Sequence, residues 1–82
     1  MKRATQESLL QAEKLLEAIR ELGVVETKPG VFIYRGKALL HFHEKDGILF
    51  CDLKNIIWSR HPTGNEAADK DLLLAIKKVL TP

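Results

Sequence analysis

Residues 31–53 read VFIYRGKALLHFHEKDGILFCDL, in which strand-forming runs alternate with turn signals. The runs are rich in Val, Ile, Phe and Tyr, which favour strands. They are separated by Arg35-Gly36 and Asp46-Gly47, and Lys28-Pro29-Gly30 precedes them, because Gly and Pro supply the backbone angles of tight turns. This pattern predicts an antiparallel meander with a short fifth extended piece around Ile56-Ile57-Trp58. The four main strands are expected near residues 24–27, 31–35, 37–44 and 48–53.

Helical periodicity flanks the meander on both sides. Thr5 is the predicted N-cap of the first helix and Gly23 its left-handed end. Thr63 and Glu66 have the spacing of a capping box for the last helix. Apolar residues at spacings of three and four form the two core stripes: Leu9, Ala12, Leu15, Leu16, Ile19 and Leu22, then Ala68, Leu72, Ala75, Ile76 and Val79.

These elements predict one α+β domain over residues 1–82, in the order helix, four-stranded antiparallel meander, helix. Hydrophobic residues are 45% and charged residues 29% of the chain, a globular balance that argues against disorder. A chain this short has one core. We expect both helices to pack on one face of the sheet.

Charge and cysteine content exclude several classes. The net charge of +2 is too small to indicate a nucleic-acid footprint. No apolar run approaches the roughly 20 residues of a membrane span, and MKRATQES lacks the apolar region of a signal peptide. The single cysteine indicates a reducing compartment. We therefore expect a cytoplasmic protein, with no membrane association and no cofactor.

The turn at Arg35-Gly36 sets the predicted register of the first long hairpin. A two-residue turn pairs Tyr34 with Lys37 and Phe32 with Leu39. The core face then contains Val31, Ile33, Ala38, Leu40 and Phe42.

The turn at Asp46-Gly47 leaves two registers open. A two-residue turn places Cys51 in the core and His41 opposite Asp52. A three-residue loop with a bulge instead places His41 opposite Cys51. The hydrophobic pattern favours the first register, because the second buries Asp52 beside Leu40 without a partner.

The favoured register defines a second face that is too apolar to be fully wetted. The candidates to cover it are a second copy or another protein partner, a ligand, or the chain's own C-terminal region around Trp58. The first of these makes a non-enzymatic binding module the leading hypothesis. Nucleic acid is the alternative, because aromatic side chains can stack bases, although Asp52 and Glu26 share the face. The predicted binding face comprises Phe32, Tyr34, Lys37, Leu39, His41, His43, Phe50 and Asp52, with Ile48 beside them.

A metal or small-molecule site is the second alternative. His41 and His43 place two imidazoles on one face of a strand, a spacing found in metal sites. Asp52, Glu44 or His61 can supply the third ligand, but the sequence specifies no complete set. Cys51 is predicted to be a buried, inert thiol and not a nucleophile. We expect Trp58 in a core or an interface, and Arg60 in the loop before the last helix.

Residues 24–54 resemble small bacterial proteins of the MmcQ/YjbR type. The resemblance rests on Tyr34, Gly36, Lys37 and Leu53-Lys54, after a leading helix, and covers about the first two-thirds of the chain. It implies a double-wing α+β architecture and a protein expected to bind DNA, and it supplies no catalytic residues. The segment His41-Phe42-His43 and the final helix depart from that family's pattern.

Overall fold

A five-stranded antiparallel meander forms the centre of the computed structural model, which describes residues 2–81. A sixth, two-residue strand pairs with the end of the central strand, where Arg3 lies opposite His43. The meander strands pair in chain order. The strands are β1 (Lys2–Arg3), β2 (Val25–Lys28), β3 (Val31–Tyr34), β4 (Lys37–Lys45), β5 (Ile48–Asn55) and β6 (Ile57–Pro62).

The predicted first helix is present but broken in two, as α1 (Gln6–Leu10) and α2 (Glu13–Arg20). At the break, the Ala12 N–H donates to the Leu9 carbonyl, three residues back, which tightens the chain between the two helices. Thr5 caps α1 as predicted, accepting a hydrogen bond from the Ser8 N–H. The core stripe is confirmed, since Leu9, Leu15, Leu16 and Ile19 are all buried.

The turn at Asp46-Gly47 has the favoured two-residue register. Asp46 and Gly47 both have positive φ, 54° and 76°, as a type I′ hairpin requires. His41 consequently lies opposite Asp52, and Cys51 lies opposite Phe42. The predicted core position of Cys51 is confirmed.

The β3–β4 hairpin corrects the predicted register. Tyr34 pairs with Lys37 and Ile33 with Ala38, as expected, but Phe32 pairs with Leu40 and not with Leu39. A bulge leaves Leu39 as the extra residue of β4. The bulge reverses the side of the sheet on which the β3 residues lie, relative to the prediction, so Phe32 is buried in the core.

The C-terminal part of the chain also differs in detail. The predicted fifth extended piece is a full strand, β6, and α3 (Glu66–Leu80) follows it. Asn65, not Thr63, is the N-cap of α3 and accepts a hydrogen bond from the Ala68 N–H. Gly64 has a φ of 102°, which is incompatible with a helix that starts there. Thr63 instead donates its hydroxyl proton to the Leu49 carbonyl at 2.7 Å.

One core joins all three helices to one side of the sheet, which confirms the predicted α+β architecture. Leu16 and Ile19 of α2 and Leu72 and Ile76 of α3 belong to the same buried cluster as Phe42. The other buried members are Leu9, Leu15, Phe32, Leu39, Leu40, Cys51 and Leu53. No helix within residues 2–81 is long and apolar enough to cross a membrane.

Candidate metal centre

The open face is the side of the sheet opposite the three helices. It lacks several residues of the predicted binding face. Phe32 and Leu39 are buried in the core, and Tyr34 packs against it. Lys37 is paired with Tyr34 and shares its side of the sheet. Their predicted place on the open face is therefore wrong, because the β3–β4 bulge turns this part of the hairpin over.

The remaining members of that prediction do share the open face. His41 and Asp52 are directly opposite each other on β4 and β5, and His43 is opposite Phe50. Side chains of directly opposite residues point to the same side, with Cβ atoms about 4.5–5.5 Å apart. Register alone thus brings both histidines and one carboxylate together.

The donor atoms of His41, His43 and Asp52 converge closely. All of them lie within 4.8 Å of one another. His41 Nδ1 and His43 Nε2 are in direct contact, and His43 Nε2 is 3.6 Å from Asp52 Oδ2. A tetrahedral zinc ion with bonds of about 2.0–2.2 Å separates its ligand atoms by about 3.4 Å. Small rotations of these side chains are therefore sufficient to surround one ion.

The other two candidates for a third ligand point away from this cluster. Glu44 is only 8% exposed, and its carboxylate accepts a hydrogen bond from the Thr5 N–H at 3.2 Å. His61 pairs with Cys51 on the helix side of the sheet, and His61 Nε2 lies 3.0 Å from the Ser59 hydroxyl. Of the three alternatives, the structure brings only Asp52 to the two histidines.

Asp52 divides its two carboxylate oxygens between two neighbours. Arg60 Nε donates to Oδ1 at 3.0 Å, while Oδ2 is the oxygen near His43. Arg60 lies directly opposite Asp52 on β6. This contact fixes the carboxylate and leaves Oδ2 directed at the imidazoles, as outer partners of metal ligands commonly do.

Trp58 borders the cluster on one side. Its ring centroid is 4.6 Å from that of His41, and the Lys54 ammonium lies 5.8 Å from the Trp58 centroid. The tryptophan is still 43% exposed. The cluster therefore has one aromatic wall and remains open to solvent.

The local environment favours neutral imidazole at His41. Burial lowers the pKa of His41, the neighbouring His43 lowers it further, and Asp52 opposes both effects. A metal ligand must be the neutral imidazole, so this direction suits coordination. His43 Nδ1 is buried with no hydrogen-bond partner among the described residues.

Cys51 lies apart from this cluster, on the other side of β5. Its side chain is fully buried, and burial raises the pKa of its thiol well above the ordinary value. A thiol held in its protonated form is a poor nucleophile and a poor metal ligand. The structure thus gives Cys51 the packing role that the sequence predicted.

Arg60, Trp58 and Arg3 are neighbours of the cluster, and of these the sequence pointed only to the region around Trp58, as one candidate to cover this face. Recognising β6 as a full strand paired with β5 would have placed Arg60 and Trp58, because alternate residues of β6 lie on the same side of the sheet as Asp52. Arg3 arrives through β1, which is too short to predict. Glu26, predicted on this face, lies instead on the helix side, where it binds Arg20 of α2.

No family model, curated protein or solved structure matches the chain. The resemblance to MmcQ/YjbR-type proteins therefore stays a prediction, as does the expected binding of nucleic acid. The candidate site stands on its own geometry.

Proposed function

We propose that the protein is a binding module for a divalent transition-metal ion, held by His41, His43 and Asp52 on the open sheet face. The observation that carries the proposal is the convergence of three ligand-type side chains from two paired strands. Convergence of this kind needs no rearrangement of the backbone, because hydrogen-bonded strands fix the positions of all three residues.

The donor set indicates which ions fit. Two imidazole nitrogens and one carboxylate oxygen suit zinc, nickel, copper and iron, whereas calcium and magnesium prefer oxygen ligands. Three protein ligands leave at least one position for water or an added ligand, as in open zinc sites. Arg60 partly neutralises Asp52. We therefore expect weaker binding than at thiolate-rich structural zinc sites, which contribute about 10–16 kcal/mol.

The exposure of the side chains supports reversible binding. The side chains of His43 and Asp52 are 24% and 13% exposed, so an ion can reach them without opening the core. The same residues lie outside the buried cluster that holds the sheet to the helices. Binding should therefore raise stability only by mass action and should not be required for folding.

Trp58 provides a direct assay for this site. It is the only tryptophan in the chain and stacks near His41. Titration with Ni²⁺ or Cu²⁺ should quench its fluorescence, and excess Zn²⁺ should restore it by competition. In the zinc titration, the imidazole resonances of His41 and His43 should shift while those of His61 should not.

Substitutions distinguish metal binding at this site from metal binding to any accessible histidine. Replacing His41 or His43 by Ala, or Asp52 by Asn, should weaken binding by more than the about 10- to 100-fold that outer-shell partners contribute. His61→Ala is the matched control, because His61 lies on the opposite side of the sheet, and it should leave affinity unchanged. Unshifted His41 and His43 resonances at millimolar metal would rule out the proposal. Equal losses in the His61 variant would do so as well.

A further inference from the structure

Strand β6 is an edge strand with modest protection, since its residues 57–61 contain no proline and a single arginine, Arg60. Among residues 2–81 it has a single strand neighbour, β5, and its residues 57–60 are exposed. The outward N–H and C=O groups of such an edge are a template for another strand. The opposite edge, β2, is shorter and carries a bulge between Glu26 and Lys28, which discourages pairing.

The start of β6 adds an apolar tip to this edge. Ile56, Ile57 and Trp58 are 94%, 73% and 43% exposed, which makes three consecutive large apolar residues accessible. Ile56 also has a φ of 71°, a left-handed conformation that β-branched residues rarely adopt. Consecutive exposed apolar residues next to an open strand edge are a candidate interaction surface.

We propose that two copies of the chain pair through β6, antiparallel, around a two-fold axis at Ser59. This interface adjoins the metal site, since Trp58 borders His41 and Arg60 binds Asp52, but the proposal does not depend on metal binding. It places Trp58 of one copy opposite Arg60 of the second copy, and Ile57 opposite His61. The paired segment, residues 57–61, excludes Pro62, which has no N–H to donate. The two five-stranded meanders become one ten-stranded antiparallel sheet, with both open faces on the same side.

Charge and the length of the paired segment favour this register over registers centred on Trp58 or Arg60. An axis at Arg60 would place two arginines directly opposite, which is unfavourable. An axis at Trp58 would shorten the paired segment. With the axis at Ser59, each guanidinium lies beside an exposed indole, a favourable cation–π arrangement. Each Arg60 already has Asp52 at 3.0 Å as its counter-ion, so the two arginines repel little.

A second copy of the chain is therefore the partner, because residues 57–61 can pair with the same residues of that copy around Ser59. We expect an interface of one strand pair to bury less than the about 1,200–2,000 Å² that stable complexes bury. We expect a dimer that dissociates on dilution. The partner predicted from the sequence is thus assigned to the edge of the sheet and not to the whole of the open face.

Light scattering of the native chain in EDTA tests the proposal without any substitution and without interference from metal. The average mass should rise from the 9.3 kDa of the monomer toward twice that value as concentration increases into the high micromolar range. Trp58 emission should shift to shorter wavelength over the same range. A constant monomer mass up to that concentration would overturn the dimer.

Cysteine substitutions test the register. In the proposed dimer the two Ser59 Cα atoms lie about 4.5–5.5 Å apart, within disulfide range. Ser59→Cys should cross-link two chains in oxidised glutathione. The Ile57 residues of the two copies are offset by four positions, about 13 Å, so Ile57→Cys is the matched control and should remain monomeric on denaturing gels. Equal cross-linking of the two variants, or none by Ser59→Cys, would overturn the register.

Discussion

Glu26 links two elements through one carboxylate. It accepts a hydrogen bond from Arg20 Nε at 2.7 Å and another from the Gly30 N–H at 3.0 Å. The hydrogen bond with Arg20 is the largest cause that lowers the pKa of Glu26 below its usual value, and burial opposes it. The residue thus ties α2 to the β2–β3 turn in a charge-dependent way.

This contact predicts an acid-sensitive contribution to stability. Since the pKa of Glu26 is lower in the folded than in the unfolded chain, its contribution is full above pH 4.5 and is lost as the pH falls below that value. Urea unfolding should therefore give a steeper loss of free energy in acid for the native chain than for Glu26→Gln. Glu17→Gln, an exposed change on α2, is the control. An equal loss of free energy of unfolding with decreasing pH in the native chain and in Glu26→Gln would contradict the expectation.

Helix α3 shows how a tertiary contact selects an element boundary. The capping-box spacing of Thr63 and Glu66 predicts an N-cap at Thr63. Thr63 instead donates its hydroxyl proton to the Leu49 carbonyl of β5, the positive φ of Gly64 prevents a helix from starting there, and Asn65 is the cap. The strand that Thr63 contacts is far away in sequence, so local pattern alone chooses the wrong residue.

The cap can be tested at that position. Asn65→Ala should reduce the free energy of unfolding by about 1 kcal/mol, because it removes the side-chain acceptor for the Ala68 N–H. Asn65→Asp should retain stability, because Asp is an equally good N-cap and its charge suits the helix N-terminus. Urea titrations of both variants supply the measurement. An Asn65→Ala variant as stable as the native chain would place the effective cap elsewhere.

At the scale of the whole molecule, all three helices cover one side of the sheet and leave the other open. Phe32 is on the covered side, 1% exposed, while Phe50 lies on the open side, opposite His43. The two phenylalanines are therefore a matched pair for testing which side is the core.

Charging each phenylalanine should have opposite consequences. Phe32→Glu should cost more than the about 3–5 kcal/mol of a Phe→Ala core truncation, because it also buries a carboxylate. That loss is comparable to the whole stability of a small domain, so circular dichroism should report an unfolded chain. Phe50→Glu should cost about 1 kcal/mol, since its carboxylate reaches water. A folded Phe32→Glu variant would show that the β3–β4 bulge is misplaced.

The amino-acid sequence alone predicts helices on both sides of an antiparallel meander and the two core stripes. It also favours the observed Asp46-Gly47 register, and with it the facing of Cys51, His41 and Asp52. These follow from local chemistry: turn residues with positive φ and apolar periodicity act over a few residues. The pairing of His41 with Asp52 was predictable because a two-residue turn sets the register of the β4–β5 hairpin and no bulge interrupts its pairs.

Tertiary contacts are needed to explain the facing of Phe32, Tyr34 and Leu39, the cap at Asn65 and the place of Arg60 beside Asp52. A bulge shifts side chains by one position without a clear sequence signal, and a one-residue slip reverses which face they occupy. Arg60 reaches the candidate metal centre because β6 pairs with residues 50–55 of β5, which places Arg60 opposite Asp52. Contacts of this kind depend on which strands pair, and strand pairing depends on the packing of the whole chain.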